Sequence, residues 1–305
     1  MNDSSADSAV ASAPPRGLAD PRILVPVALF ALYVVWGSTY LAIRYALESY
    51  PPFFLAAIRF IAAGALMYAW LRLRGSAAPT GLQWRNAAIC GILLLLMGNG
   101  FVCFAEQSVE SGIAAVAVSS MPLFAALFSG LYGEWPQRRE VLGLAIGFAG
   151  VILLNLGSGL SGSRLGALML IIAAAAWAFG SVWSKRQDMP KGPMNTAAQM
   201  LCGGIALAVL SMLAGEQVPL HPSLRSNLAI AYLAVFGSII AFSAYLYLLK
   251  TVRPALATSY AYVNPPVAVL FGVMLAGEHV GPLDLVGMVV ILVGVAIVIL
   301  ARSRE

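Results

Sequence analysis

The sequence predicts an all-α integral membrane protein, with ten transmembrane helices arranged as two inverted five-helix repeats. Its composition, the spacing of its apolar runs and the placement of its basic residues carry this prediction. Of the 305 residues, 60% are hydrophobic and only 10% are charged, whereas soluble domains have about 25% charged residues. Because so few charges do not solvate a compact surface, the chain is not an ordinary soluble protein.

The apolar residues form ten runs of roughly 20 residues, the length that a helix needs to cross the hydrocarbon core. Each run is bounded by charged residues, Pro or Gly, and the connections are short. The sequence therefore predicts no extramembrane domain. The predicted spans are about 23–45, 52–72, 85–105, 111–130, 140–157, 164–184, 194–214, 226–249, 254–277 and 281–301.

The segments outside the spans are small. Residues 1–22 are rich in Ser, Ala, Pro and Asp, which predicts a disordered cytoplasmic tail, and residues 302–305 form a second cytoplasmic tail. No small-residue cleavage site follows the first span, so we do not expect a signal peptide. The two five-helix repeats are predicted at residues 23–157 and 164–301.

Basic residues concentrate in the segments that lie on one side of this ten-span arrangement. Loops on the cytoplasmic side of a membrane carry an excess of Lys and Arg. With both termini inside, most of the 18 basic residues are cytoplasmic, three are outside (Arg44, Arg164 and Arg225), and Arg59 lies within a span. This segregation predicts a multi-pass membrane protein with both termini in the cytoplasm.

Matching residues recur in the two halves of the chain. A shift of 141 residues places Trp36 on Trp177, Arg44 on Lys185 and Pro52 on Pro193; a shift of 144 places Pro122 on Pro266, Glu134 on Glu278, Gly143 on Gly287 and Gly150 on Gly294. Two tandem five-span units must insert with opposite orientation. Inverted repeats of this kind give many secondary transporters their inward-open and outward-open states.

Three stretches carry a resemblance to a known family: WGSTYLAIRYALESYPPFFLAAIRF, SGIAAVAVSSMPLFAALFSGLYGE and TSYAYVNPPVAVLFGVMLAGE. With them the chain resembles the EamA-type ten-span carriers of the drug/metabolite transporter superfamily. The resemblance implies that spans one to four and six to nine enclose a cavity, with spans five and ten outside it. The segment from Glu106 to Gly112 is similar to a branch that includes broad amino-acid exporters.

The resemblance implies a secondary transporter that exports small metabolites across the inner membrane by alternating access. Amino acids, including aromatic and other apolar ones, are the expected substrates, with broad specificity. The alternatives are a channel-like facilitator and a carrier of lipids or other drugs and metabolites on the same fold. No GxxxxGK[ST] motif occurs, so we expect a gradient of substrate or protons to supply the energy.

A membrane-embedded enzyme is the third class, and the sequence disfavours it. There is no HExxH or GxSxG motif, and the only histidines, His221 and His279, fall in predicted outer loops. The three cysteines lie within apolar runs without CxxC spacing. We therefore expect no catalytic residues, no metal and no cofactor, and the scattered basic residues do not indicate nucleic-acid binding. Whether the chain is a monomer or a homodimer through spans five and ten is left open.

Prolines near the middle of two matched spans are hinge candidates: Pro122 in span four, and Pro265 and Pro266 in span nine. Each proline removes a helical hydrogen bond and frees a carbonyl one turn earlier. Irregular segments at corresponding positions of two repeats indicate a transporter binding region. A packing kink without a substrate role is the alternative.

Aromatic and small polar residues at helical spacing are candidates for the substrate pathway. Such faces suit a mostly apolar cavity with a few polar anchors, and anchoring of Trp and Tyr at the membrane surface is the alternative. Asn99 and Asn264 lie beside Gly or Pro at membrane depth, where the backbone is already irregular. The candidates are Trp36, Tyr40, Asn99, Trp177, Ser181, Phe242, Tyr245, Tyr260, Tyr262 and Asn264.

Charged residues in or beside the spans are candidates for a gate or for coupling, because an intramembrane charge is costly. Arg59 and Glu106 are predicted near the outer surface, as is Arg44. An Arg59–Glu106 pair would neutralise both charges, as an extracellular gate or as a static ion pair. A proton-coupling role for Glu106 is the sharper hypothesis, since burial raises the pKa of a carboxylate.

Overall fold

A computed structural model describes residues 21–302 apart from residues 110, 158–163, 219, 253 and 277–280. Predictions for Glu278, His279 and the first 20 residues therefore lie outside the described residues. All regular secondary structure within the described ranges is helical. The helices are α1 Pro21–Leu47, α2 Pro52–Leu73, α3 Gly81–Ala105, α4 Ser111–Leu131, α5 Arg138–Gly157, α6 Arg164–Ser184, α7 Pro193–Leu213, α8 Leu224–Thr251, α9 Pro254–Thr258, α10 Tyr260–Ala276 and α11 Pro282–Arg302.

Seven helices in the described part of the chain are long and apolar enough to cross a membrane: α1, α2, α3, α4, α6, α7 and α8. The prediction of an all-helical membrane protein is thus confirmed. The first helix begins at Pro21, two residues inside the predicted tail. One end of the bundle carries Lys185 and Lys250, where α6 and α8 finish, and we call it the basic end. Arg44 and Glu106 lie at the opposite end, where α1 and α3 finish.

Helix α4 and the α9–α10 segment are each interrupted by serine. In α4 the interruption is at Ser119 and Ser120, directly before Met121 and Pro122, and Ser259 separates α9 from α10. The hydroxyls of Ser120 and Ser259 donate to carbonyls three residues earlier, each at 2.7 Å. Such bonds satisfy backbone groups that have no water partner at membrane depth.

Three of the membrane-length helices contain π-helical segments: Ala31–Trp36 in α1, Ile92–Gly100 in α3 and Leu233–Phe242 in α8. In α8, the Ser238 hydroxyl donates to the carbonyl of Leu233, five residues earlier, at 3.0 Å. Irregular turns of this kind occur frequently at functional sites. Each of the three segments contributes residues to the middle of the bundle: Trp36, Asn99 and Gly237.

Helices α5 and α11, in which the sequence matches Gly143 with Gly287 and Gly150 with Gly294, pack against each other through glycine. A Cβ atom on Gly294 would lie 2.5 Å from the backbone nitrogen of Gly147, and one on Gly150 would lie 2.7 Å from the nitrogen of Ile291. The two backbones thus approach as closely as glycine allows.

Glycine also sets the spacing of α2, α3 and α7. A Cβ atom on Gly203 in α7 would lie 2.8 Å from the carbonyl oxygen of Gly91 in α3, and one on Gly204 would lie 2.9 Å from the nitrogen of Ile61 in α2. After α7, the carboxylate of Glu216 accepts hydrogen bonds from the first amides of α2, those of Phe53 at 3.1 Å and Phe54 at 2.8 Å. This cap fixes the start of α2 to the end of α7.

Candidate functional site

The middle of the bundle holds a cavity of about 60 Å³, which we call the central cavity. Its walls come from α1, α3, α4, α6 and α10, and they combine aromatic rings with two side-chain amides. The lining residues are Trp36, Thr39, Tyr40, Ile43, Gly98, Asn99, Val102, Val118, Ala173, Trp177, Tyr260 and Asn264. Six of the ten pathway candidates of the sequence therefore meet around one space: Trp36, Tyr40, Asn99, Trp177, Tyr260 and Asn264.

Four aromatic side chains close the central cavity on the side of the basic end, and we call them the aromatic layer: Trp36, Trp177, Tyr245 and Tyr260. The Trp36 ring is central, with its centroid 5.5 Å from Trp177, 5.4 Å from Tyr245 and 4.9 Å from Tyr260. Phe242 packs on the outside of this group, 6.2 Å from Trp177. These separations are those of stabilising aromatic pairs.

Hydrogen bonds hold the aromatic layer to the irregular segments of the backbone. The Trp36 Nε1 donates to the carbonyl of Gly237, in the π-helical part of α8, at 2.9 Å. With the Asn264 side-chain amide oriented to satisfy its neighbours, its nitrogen donates to the carbonyls of Leu32 at 3.0 Å and Tyr260 at 3.2 Å. Trp36 and the neighbouring Asn264 thus use carbonyls of the π-helical segments or of a residue next to a helix interruption, whereas the Tyr245 hydroxyl bonds to Ser181 and the Tyr260 hydroxyl to the sulfur of Met121.

A second cavity, of about 140 Å³, lies at the basic end, and we call it the vestibule. Its lining residues are Pro122, Ala125, Ala126, Ser129, Glu134, Pro136, Glu140, Leu144, Ser181, Val182, Lys185, Arg186, Leu249, Thr258 and Tyr262. Trp177 of the central cavity and Ser181 of the vestibule are one turn apart on α6. The aromatic layer is therefore about one helical turn thick between the two spaces.

The vestibule carries charges of both signs. Arg186 and Glu134 form an ion pair at 2.8 Å, and the guanidinium also lies 4.2 Å from the centre of the Tyr132 ring. Glu140 is buried and accepts a hydrogen bond from the backbone of Gln137 at 2.9 Å. Burial lowers the pKa of Lys185 below its ordinary value, and the nearby Glu134 carboxylate opposes this effect.

Tyr262 completes the vestibule wall and supplies a polar atom without a protein partner. Its side chain is 3% exposed, and among the described residues its hydroxyl has no hydrogen-bond partner. Buried polar groups are normally hydrogen-bonded, so a lone one on a cavity wall marks a point where a ligand or water is accommodated.

The predicted charged residues lie beyond the other side of the central cavity. Arg59 is 2% exposed, donates a hydrogen bond to the Asn99 side-chain oxygen and lies 4.4 Å from the centre of the Phe60 ring. Glu106 is 7% exposed and interacts electrostatically with Arg59 and Tyr40. Arg44 is exposed near the end of α1. The charge of Arg59 is thus joined to the central cavity through Asn99.

The hinge candidates take different positions. Pro122 follows the interruption of α4 and lines the vestibule. Pro265 and Pro266 lie within the continuous helix α10, six and seven residues after the interruption at Ser259. Within the described residues, no group of three or more His, Cys, Asp or Glu side chains is placed to hold a metal ion.

Two segments of the chain, residues 24–156 and 164–300, match the model of the EamA-like transporter family. The chain belongs to this family. The resemblance predicted from the sequence is thereby confirmed, and membership of a family of transporters excludes the membrane-enzyme interpretation.

Several relatives of this EamA-family chain have names. It is 50% identical to the uncharacterized inner membrane transporter YedA of Escherichia coli (strain K12) over 284 residues, 92% of this chain and 93% of the relative. It is 29% identical to a WAT1-related chloroplastic protein of Arabidopsis thaliana, over 88% of this chain and 68% of the relative. It is 27% identical to protein PecM of Dickeya dadantii (strain 3937), over 88% of this chain and 91% of the relative.

A solved crystal structure has the same fold as this EamA-family chain. It superposes with a TM-score of 0.73 at 23% sequence identity, covering 92% of this chain and 98% of the other. At this identity the likeness concerns the fold alone.

Sequence reasoning missed the charged wall of the vestibule. The sequence pointed to Lys185 and Glu134 only as matches between the two repeats, and it did not point to Glu140. The match of Lys185 with Arg44 contained a usable signal, because a cation at matched positions of two transporter repeats is a site candidate. The π-helical segments have no sequence signal that we recognise.

Proposed function

We propose that this EamA-family transporter exports small metabolites, foremost amino acids, across the inner membrane by alternating access. One observation carries the proposal: two cavities lie in line along the bundle and are separated by an aromatic layer one turn thick. A carrier needs a site that is closed from one side at a time, and a permanently open channel does not need such a barrier. The channel-like alternative is therefore disfavoured.

Helix contacts support a ten-span arrangement with a pseudo-two-fold axis between the repeats. When first-repeat helices are exchanged with their second-repeat counterparts, most contacting pairs map onto contacting pairs. Helix α1 packs on α10 as α6 packs on α4, and α1 packs on α8 as α6 packs on α3. Counterparts also pack on each other, α2 on α7 and α5 on α11. These are the relations expected of inverted repeats.

The π-helical segments support the same symmetry. The segment Ile92–Gly100 in α3 and the segment Leu233–Phe242 in α8 begin 141 residues apart, the shift that aligns Trp36 with Trp177. Irregular backbone at corresponding depths of two repeats is typical of transporter binding regions. We propose that these segments change register when the aromatic layer opens.

The walls of the two cavities support an amino acid as substrate. The vestibule offers Lys185 and Arg186 to a carboxylate, and Glu134 and Glu140 to an ammonium group. The central cavity offers aromatic rings to an apolar side chain and the amides of Asn99 and Asn264 to its polar atoms. A site that is mostly apolar, with a few convergent polar groups, is the usual form for a small ligand.

The proposed orientation decides which side of the membrane the vestibule opens to, and export as the direction rests on the resemblance to exporters of the family. The basic end faces the cytoplasm, since basic residues concentrate in cytoplasmic loops. Both termini are then cytoplasmic, and the vestibule receives substrate from inside the cell.

Transport in liposomes tests the proposal. Purified protein is reconstituted and loaded with labelled amino acids and other metabolites, and efflux is followed with and without an imposed pH gradient. We expect saturable efflux of apolar and aromatic amino acids that is stimulated by unlabelled substrate on the opposite side. Linear flux without saturation or trans-stimulation would indicate a channel and contradict the proposal.

Proton coupling is proposed at Glu106, which is buried beside the charge of Arg59. Glu106→Gln keeps the shape of the side chain and removes its proton exchange, so we expect transport that no longer responds to a pH gradient. Glu48→Gln, at an exposed residue paired with Arg225 at 3.1 Å, is the control. An unchanged pH response in Glu106→Gln would assign the coupling elsewhere.

A further inference from the structure

The largest of the spaces described here lies off the pathway, in a groove of about 470 Å³ between α1, α7 and α8. We call it the lateral groove. Its lining is mainly aliphatic, and some of these side chains face outward from the bundle: Val27 is 57% exposed and Ile240 is 42% exposed. In a protein that spans a bilayer, an outward-facing apolar groove meets lipid rather than water.

The length of the lateral groove matches one leaflet of the bilayer. On α8 it extends from Ile240 to Lys250, ten residues or about 15 Å along the helix axis. The hydrocarbon core of a bilayer is about 30 Å thick, so one leaflet accounts for about 15 Å. The groove therefore runs from the basic end to near the middle of the membrane.

Charge in the lateral groove is confined to its membrane-surface end. Lys250 is exposed in the last turn of α8, and it is the one charged side chain among the described residues that line the groove. Lys191 is exposed beside Gly192, which also belongs to the lining. Basic pockets between transmembrane helices at the cytoplasmic surface hold anionic lipid headgroups.

One polar atom lies deeper in the lateral groove. The Ser243 hydroxyl is buried and has no hydrogen-bond partner in the part of the chain that the structure describes. It is seven residues from Lys250, about 10 Å along α8. This depth is below a headgroup phosphate, and among the described residues that line the groove Ser243 has the one buried side-chain oxygen without a partner.

We infer that the lateral groove binds one anionic phospholipid from the leaflet at the basic end, with an acyl chain along α8 and the headgroup phosphate at Lys250. The apolar lining fits the acyl chain, the length of the groove fits one leaflet, and the single basic end fits the headgroup phosphate. The inference concerns a site on the outside of the bundle and does not depend on the transported substrate.

The same groove adjoins the segments that hold the aromatic layer. Ala31 and Ile240 line it and belong to the π-helical parts of α1 and α8. On the inner side of those parts, Trp36 donates its hydrogen bond to Gly237. A lipid in the groove therefore packs against the backbone that positions the layer, and we expect its binding to stabilise the folded protein.

Lipid titration of the full-length protein tests the inference. Protein in detergent micelles is titrated with phosphatidylglycerol or phosphatidylcholine, and retained lipid is counted by native mass spectrometry while the Tm is recorded. We expect one retained phosphatidylglycerol and a higher Tm, because a ligand that binds the folded state stabilises it. Lys250→Gln should weaken phosphatidylglycerol binding about fivefold, the effect of one basic side chain at a lipid surface. Arg85→Gln, at an exposed residue of α3 outside the groove, should not.

A second pair of variants separates the groove from general lipid contact. Ala244→Trp fills the groove and should abolish retention of both lipids. Ala62→Trp, at an exposed position of α2, should leave retention unchanged. Equal retention of the two lipids by the unmodified protein, unchanged binding in Lys250→Gln, or unchanged binding in Ala244→Trp in a correctly folded sample would each overturn the inference.

Discussion

The centre of this transporter and its α5–α11 edge solve helix packing in opposite ways. At the edge, glycine brings two regular helices into backbone contact. At the centre, the largest side chains of the chain meet between helices whose backbone is π-helical or interrupted.

We infer from this difference that the α5–α11 contact keeps its geometry and that the centre of the bundle moves during transport. Glycine contacts have one geometry, because any shift of the backbones creates a clash or a gap. Aromatic rings joined by single hydrogen bonds to irregular segments have other rotamers and other carbonyl partners available. Substitutions at the edge should therefore affect folding, and substitutions at the centre should affect transport.

The largest effect is expected from Gly294→Ala at the edge. The added methyl group would lie 2.5 Å from the nitrogen of Gly147 and 2.7 Å from the carbonyl oxygen of Gly143. Both are backbone atoms and cannot rotate away, so the helices must separate, at a cost of about 1–3 kcal/mol. We expect a strongly reduced yield of monodisperse protein and a lower Tm.

Gly81→Ala is the matched control for this edge variant. A Cβ atom on Gly81 meets no atom within 4 Å, so the variant should purify like the unmodified protein. Normal stability of Gly294→Ala would mean that α5 and α11 can separate without loss of folding free energy. It would contradict the inference that this contact has only one geometry.

Removal of the central ring should give the next largest effect. Trp36→Ala deletes the ring that contacts the other three members of the aromatic layer, which joins the vestibule to the central cavity. We expect substrate accumulation against a gradient to fall to background while passive leak through liposomes rises. Trp36→Phe keeps most of the ring and loses the bond to Gly237, so it should retain part of the activity.

Trp70→Ala provides the comparison, because Trp70 is 54% exposed on the outside of α2. Its transport should be normal. If Trp36→Ala accumulates substrate like the unmodified protein, the aromatic layer is not the barrier.

The sequence predicted the all-helical membrane fold well because membrane-length apolar runs are a physical requirement of the bilayer. It predicted Trp36, Tyr40 and Trp177 as pathway residues because they lie several helical turns from either predicted membrane surface. It did not predict that Arg59 bonds to Asn99, a residue on another helix, because pairing across helices depends on their rotation. It also placed the irregularity of span nine at Pro265 and Pro266, whereas the helix is interrupted at Ser259. Packing against neighbouring helices can absorb a proline, and a serine hydroxyl can support a break.

The hydrogen bond between Ser181 and Tyr245, 2.6 Å long, sharpens the comparison at the level of single atoms. The Ser181 hydroxyl donates its hydrogen to the carbonyl of Trp177 at 2.7 Å, so Tyr245 is the donor in the bond between the two side chains. Tyr245 is fully buried. Ser181→Ala leaves a buried donor without this acceptor, whereas Tyr245→Phe removes the donor and keeps the ring.

We therefore expect Ser181→Ala to be more harmful than Tyr245→Phe. An unmet buried donor costs about 1–3 kcal/mol, against about 1 kcal/mol for an ordinary lost bond. Initial rates in liposomes should fall about tenfold in Ser181→Ala and no more than about fivefold in Tyr245→Phe, by the same difference. Equal losses of rate in the two variants would show that the Tyr245 hydroxyl is not left as an unmet donor when Ser181 is replaced.

The smallest effect is expected from charge at the vestibule. Burial lowers the pKa of Lys185, so its ammonium group loses its proton at a lower pH than an exposed lysine does. If Lys185 holds the carboxylate of the substrate, the concentration for half-maximal transport should rise as the pH is raised, by up to about fivefold, the range of partly exposed ion pairs. Lys185→Arg keeps its charge over this range, so its pH profile should be flatter.

Lys191→Arg is the control for the pH series, because Lys191 is exposed and lies outside the vestibule lining. The α-amino group of an amino-acid substrate titrates equally in all three proteins, so only the difference between Lys185→Arg and the other two reports on the vestibule. Identical profiles in the three proteins would remove Lys185 from substrate recognition. The charged residues of the vestibule would then have a structural role only, like the glycine contacts between α5 and α11.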